Sequence, residues 1–186
     1  EGNAEINGGT IDENSAGEDG GALYVKGNVT VTEGKSTELK NNTSGGNGGA
    51  IYMAVGDFDF NLNGTAIVTG NSSTGGNGGA IYQGGGAFMV GSNGNIVVGG
   101  SLANSNHAVS GSGGGIFCAG TFTVNGKAYI TYNQAKNGGG VCVEDGDVTL
   151  NDQTFISDNA VTELGGGLYV FNVKPTPVDV SCVGGS

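Results

Sequence analysis

Arginine does not occur among the 186 residues. The six basic residues are all lysine, at positions 26, 35, 40, 127, 136 and 174, and 17 acidic residues bring the formal net charge to −11. A surface of that sign repels phosphate backbones and anionic lipid, and it lacks the guanidinium forks that grip them. Nucleic acid is therefore excluded as a partner. Cysteine is scarce: Cys118, Cys142 and Cys182 form no CxxC pair and leave at least one thiol unpaired. That pattern fits neither a disulfide scaffold nor a zinc site, so burial as small hydrophobes is expected. No apolar run approaches the roughly 18 residues of a membrane helix, and no signal-peptide pattern opens the chain at Glu1. Histidine occurs once, at His107, in the longest connection (residues 102–112), where an exposed side chain is expected. No serine or cysteine has a recognisable base partner near it in sequence, which removes nucleophilic triad chemistry.

Glycine is abundant instead, with 41 residues at recurring places. The segment Gly48-Gly49-Ala50-Ile51-Tyr52 returns unchanged at Gly78-Gly79-Ala80-Ile81-Tyr82. Weaker copies place Leu23, Ile116, Val141 and Leu168 at the same point, so the marker steps are 28, 30, 35, 25 and 27 residues. Such self-similarity marks a repeat architecture. A second register alternates with period two: Val29-x-Val31, Phe58-x-Phe60, Phe88-x-Val90, Phe122-x-Val124, Val148-x-Leu150 and Val178-x-Val180. The third places Asn three residues after an apolar residue, as in Ile11/Asn14, Leu39/Asn42, Val68/Asn71, Ile130/Asn133 and Ile156/Asn159, with Val98/Ser101 in the fourth copy. Turn pairs with positive-φ chemistry separate these registers: Glu33-Gly34, Asn63-Gly64, Asn93-Gly94, Asn125-Gly126 and Asn151-Asp152.

Three short strands per unit of about 28 residues exclude helices, and the unit is too short for a propeller blade of about 40. The expected fold is all-β: one right-handed, single-stranded parallel β-helix over residues 1–186, with about six turns of three strands each. Equivalent residues then stack about 4.8 Å apart along one axis. Leu23, Ile51, Ile81, Ile116, Val141 and Leu168 form one buried column, and Phe58, Phe88 and Phe122 another. Asn14, Asn42 and Asn71 form an amide ladder. Alternation turns Tyr24, Tyr52, Tyr82, Phe117 and Tyr169 outward in line, either exposed or beneath a loop, and buries Gln83 beside Met53 and Cys118. Cys118 and Cys142 stand one strand position apart and face opposite sides, so no disulfide between them is expected.

These GGAI-type segments, paired with an apolar-x-x-Asn element, resemble the GGAI and FxxN repeats of chlamydial polymorphic outer-membrane proteins. The resemblance runs from Ile11 to Val170; Gly48–Ile51 and Gly78–Ile81 match the first half literally, while Ile, Leu or Val replaces Phe throughout the second. It implies a β-helical autotransporter passenger, secreted or associated with the outer membrane at the cell surface, and adhesion to a host or neighbouring cell through a surface protein or glycan.

No catalytic, cofactor-binding or metal-binding residue is assigned. A polysaccharide lyase would need cationic groups near its base, and the lysines are scattered over different turns. A hydrolase needs two carboxylates about 5–9 Å apart; Asp57 with Asp59 and Asp145 with Asp147 are the candidates, read as a solvated acidic face. Calcium is the one cofactor for which oxygen ligands cluster, at Glu144, Asp145 and Asp147 around Gly146. The expectation is a non-enzymatic adhesin or rigid spacer, with a carbohydrate-active β-helix and a self-assembling fibre subunit as alternatives. No capping helix is evident, and Pro175 and Pro177 blunt the last edge. The chain is accordingly expected to be a stretch of a longer repeat protein or to associate end to end.

Overall fold

The computed structural model describes residues 2–151, 153–174 and 177–183. The chain winds as a parallel β-solenoid of about six turns. Each turn gives one strand to each of four sheets, and all strand pairings are parallel. In the third turn the strands are Phe60–Leu62 (sheet 1), Thr65–Thr69 (sheet 2), Ser72–Ser73 (sheet 3) and Ile81–Gln83 (sheet 4). Three of these ladders are those read from the sequence. Sheet 3 is additional: its strands are two residues long in every turn, too short for alternation to reveal them.

The marker column is in register throughout, with Leu23 beside Ile51, Ile81, Ile116, Val141 and Leu168 in succession. The column Ile11, Leu39, Val68, Val98, Ile130 and Ile156 is equally continuous. In sheet 1, however, Phe60 rather than Phe58 pairs with Val29 and Phe88, and Val180 rather than Val178 pairs with Val148. The cause is connection length. Residues 54–59 join sheets 4 and 1 where residues 84–86 suffice in the next turn. A two-residue shift preserves the period-two pattern, so alternation could not separate the registers. Phe58 instead packs partly buried against the core from the corner. Phe60, Phe88 and Phe122 stack inside, with centroids 4.6 and 5.2 Å apart.

The Gly-Gly pairs have two separate causes. The first glycine of each pair (Gly20, Gly48, Gly78, Gly113, Gly138, Gly165) turns the corner into sheet 4 with φ between 56° and 70°, the left-handed region that side chains resist. The second lies against the neighbouring coil: a Cβ on Gly21, Gly49 or Gly79 would overlap the carbonyl oxygen of the next turn's Gly49, Gly79 or Gly114. The turn pairs behave differently from expectation. Only Gly34 has positive φ (106°); Gly64, Gly94 and Gly126 are required because a Cβ would strike the carbonyls of Thr32, Leu62 and Gly91. Asp152 and Pro175 lie outside the described residues.

Most inward polar groups are paired. Thr37 is the exception: its side chain is fully buried, in the column of Ala66, Ile96 and Ala128, and its hydroxyl has no partner. An unsatisfied buried hydroxyl costs about 1–3 kcal/mol. Thr37→Val is therefore expected to stabilise the protein by about 1 kcal/mol, measured as a higher midpoint in urea unfolding.

Candidate functional site

Polar side chains at recurring positions are spent on the coil itself. The amide ladder extends through all six turns as Asn14, Asn42, Asn71, Asn106, Asn133 and Asn159. Asn42 donates its backbone N–H and Nδ2 to Oδ1 of Asn71, each at 3.0 Å, and Asn71 donates both to Oδ1 of Asn106 at 2.9 and 3.0 Å. Asn106 and Asn133 pass the pattern to Asn159. Asn106, not Ser101, holds the fourth place, because residues 100–105, including the short 3-10 helix Leu102–Asn104, stand where the next turn has Tyr132 alone. The signal was present in Asn106-His107-Ala108, which matches Asn133-Gln134-Ala135. His107 is thereby corrected from an exposed loop residue to a half-buried strand residue paired with Ser72 and Gln134. Burial pushes its imidazole pKa down.

A second ladder precedes the Gly-Gly pairs and was not anticipated. Asp19 Oδ1 accepts from the backbone N–H of Asn47 at 2.7 Å, Asn47 Oδ1 from Asn77 at 2.8 Å, and Asn77 Oδ1 from Ser112 at 2.8 Å. Its sequence signature is the polar residue immediately before each of the first five pairs; Leu164 precedes the sixth.

Three of the four acidic candidates for hydrolysis, Asp59, Asp147 and Asp145, point along the axis in the same way, while Asp57 lines an open depression at the corner. Asp59 Oδ1 accepts from the Ala87 N–H at 2.8 Å, and Asp147 Oδ1 from the Asp179 N–H at 3.0 Å. Asp145 Oδ1 accepts from the N–H groups of Val173 and Lys174, and its other oxygen lies 3.8 Å from the Lys174 ammonium. The Lys174 amide first, then the Val173 amide and the ammonium, hold the Asp145 carboxyl below its ordinary range. Burial, with repulsion from Asp145, raises Glu144. Among the described residues, no group of three or more His, Cys, Asp or Glu side chains is arranged to hold a metal ion.

A depressed carboxylate stabilises the fold above its unfolded pKa, and that contribution is lost as pH falls through the folded value. Acidification below the ordinary carboxylate range should therefore release residues 173–174 first. Amide exchange at Val173 and Lys174 is expected to accelerate there in the wild type, and to be fast at all pH values in Asp145→Asn if the charge is what holds them.

The thiols are all free. Cys142 pairs with Phe117, and Cys118 with Val143, so the two face opposite sides as expected. Burial pushes both thiols up to about 12. Inside the coil, Cys118 donates to Gln83 Oε1 at 3.3 Å, while Gln83 Nε2 donates to the carbonyls of Phe58 (3.1 Å) and Gly85 (2.9 Å). Gln83 thus ties the enlarged 54–59 corner to the interior. Since the thiolate is the nucleophile, iodoacetamide on the native protein at pH 8 should label the exposed Cys182 alone. Mass spectrometry before and after denaturation checks this.

Two aromatic columns face outward. On sheet 4, Tyr24, Tyr52, Tyr82 and Phe117 stack at centroid separations of 4.9, 5.1 and 5.1 Å. Exposure falls along the stack, from 52% at Tyr24 to 3% at Phe117, and Cys142 then interrupts it. Burial raises the Tyr82 phenol to about 12. On sheet 2, Ile67, Val97, Tyr129 and Phe155 occupy successive turns of one outward column. Tyr129 (40% exposed) and Phe155 (51%) stack at 5.1 Å. The inserted segment adjoins this strip, since a Cβ at Gly100 would stand 3.9 Å from Val97, and it carries the exposed Leu102. No recurring sequence pattern marked this strip.

The comparison with protein families gives one match, to the Chlamydia polymorphic membrane protein repeat, over residues 4–26 and 36–54. Each matched segment contains one apolar-x-x-Asn corner and the Gly-Gly pair that follows. No curated protein and no solved structure is significantly similar to the chain. Residues 4–26 and 36–54 are therefore similar to the Chlamydia polymorphic membrane protein repeat, and they fold as turns of a parallel β-solenoid.

Proposed function

We propose that this chain is a non-enzymatic, surface-exposed scaffold of the passenger type, adhering to a protein on a host or neighbouring cell through the outer face of sheet 2. The observation that carries the reading is a contrast. Asparagine and aspartate side chains at the corners serve the coil's own hydrogen bonds, whereas Tyr129 and Phe155 are exposed and Ile67 and Val97 partly exposed beside a loop insertion that bears Leu102. Insertions on a regular scaffold are where solenoids place recognition, and exposed contiguous apolar strips mark interaction surfaces. The polymorphic membrane protein repeat supports the location at an outer membrane or cell surface.

Ring geometry favours a protein over a stacked sugar on this strip. Rings about 5 Å apart and nearly parallel spend their faces on one another, leaving edges outward. Catalysis is disfavoured because the paired carboxylates Asp59, Asp145 and Asp147 each accept a backbone amide of the following turn.

The test is adhesion of protein-coated beads to cultured epithelial cells. Coated beads should bind above uncoated ones, and Tyr129→Asp with Phe155→Asp should remove the excess while the circular-dichroism melting curve stays within a few degrees. Equal binding of coated and uncoated beads, or undiminished binding of the double variant, would defeat the proposal.

A further inference from the structure

We infer that a notch at the corner between sheets 1 and 2 is a binding site for a single neutral sugar residue. The connections between these sheets alternate in length. Residues 32–35 join them in the second turn, residues 63–64 in the third and residues 91–94 in the fourth. Two long connections thus overhang a short one. The gap above Asn63-Gly64 is an open depression of about 280 Å³. Asn93 Nδ2 donates to Glu33 Oε1 at 2.9 Å, a bond between residues 60 positions and two turns apart. The overhanging connections are therefore tied together across the short one.

The lining chemistry selects the ligand. Glu33, Lys35, Ser36, Asn63, Thr65 and Asn93 supply a carboxylate, an ammonium, two amides and two hydroxyls. An anion would meet the Glu33 carboxylate, and a cation would meet the Lys35 ammonium, which forms no ion pair among the described residues. A polyol avoids both conflicts. Each of its hydroxyls both donates and accepts, so it can give protons to carboxylate and amide oxygens and take them from ammonium and amide nitrogens. Hydrogen bonds to the two ionised groups are the stronger ones. The volume suits one pyranose ring rather than an oligosaccharide, below the usual range for drug-sized ligands. No aromatic ring lines the notch, and the site is open, so a dissociation constant of about 1 mM or weaker is expected. Repeated display on a cell surface would offset such weakness through avidity.

This reading is independent of the apolar strip, and its test keeps the two apart. Saturation-transfer difference NMR would be run on the intact chain with methyl α-glucoside, methyl α-galactoside, methyl α-mannoside and N-acetylglucosamine. Sialic acid and glucosamine serve as the anionic and cationic comparisons. At least one neutral sugar should show saturation transfer, exceeding both charged ones. Thr65→Tyr, which fills the notch from an outward strand position, and Glu33→Ala should each weaken that signal at least tenfold. Asn93→Ala, in an exposed connection, replaces either variant should one fail to fold. The strip variant Tyr129→Asp should leave the signal unchanged. Absence of transfer from every neutral sugar, a stronger response to a charged one, or a signal that survives the notch substitutions or is lost with Tyr129→Asp overturns the inference.

Discussion

Gly79→Ala is expected to lower the melting temperature by about 10 °C or more, corresponding to a cost of about 4 kcal/mol in a chain of this length. Gly79 is buried, and its missing side chain is the space occupied by the next coil. A methyl group there would overlap the Gly114 carbonyl oxygen and stand 2.5 Å from the carbonyl carbon of His107. Both obstacles are backbone, so no rotamer change relieves them. The third and fourth turns would have to separate locally, breaking the bonds from Gly79 N–H to Gly113 O and from Ala80 N–H to Gly115 O. Because stacked repeats lose structure turn by turn, amide exchange should show protection falling most at residues 78–83 and 113–118. The control is Gly17→Ala. That site is exposed, has no atom within 4 Å of an added Cβ and does not need positive φ; its effect should stay within about 0.5 kcal/mol. Equal destabilisation by both substitutions would show that interturn clearance does not account for the Gly-Gly pair, since the entropy change of Gly→Ala by itself stabilises.

The second large effect is expected at Asn71, where alanine should cost about 3–5 kcal/mol. Asn71 Oδ1 satisfies the Asn42 N–H, and its Nδ2 donates to the Leu39 carbonyl at 2.9 Å. Truncation strands both backbone groups in a dry corner, and each unsatisfied group costs about 1–3 kcal/mol. Asn71→Asp adds a diagnostic pH dependence. The carboxylate keeps the acceptor but loses the donors, and it faces the Leu39 carbonyl and Asn106 Oδ1, which penalise the charged form and raise its folded pKa. A raised pKa means that the damage is smallest in acid and grows as pH rises through the ordinary carboxylate range. Urea midpoints measured at pH 3.5 and 7, each relative to wild type, should show that trend. A difference between Asn71→Asp and wild type that is the same at both pH values would mean that position 71 is not held in the dry ladder.

Much of this architecture was legible because its physics is local or strictly periodic. The six-membered marker column from Leu23 to Leu168 follows from the Gly-Gly corners, whose backbone demand shows in the residue type itself. The inward direction of Gln83 and the opposite facing of Cys118 and Cys142 follow from alternation once the register is known. Phe58 was misplaced because a shift of two residues leaves alternation unchanged, and only the stacking of Phe60 on Phe88 breaks the tie. Asn106 was missed because an insertion moved it five residues beyond its expected place. The two proposed sites were not legible at all. Ile67, Val97, Tyr129 and Phe155 sit on a strand face where other turns carry Thr10 and Glu38, so no repeat marks them, and the notch arises from unequal connections in adjacent turns.

The sequence by itself determined that equivalent residues stack along one axis, because glycine at the corners and apolar residues at every second position admit few other packings. Only the tertiary structure decided which phenylalanine stacks, which asparagine completes the ladder and which outer surface stays apolar. Those outcomes depend on how connections of different length close over neighbouring turns, a distance across the coil that no spacing along the chain encodes.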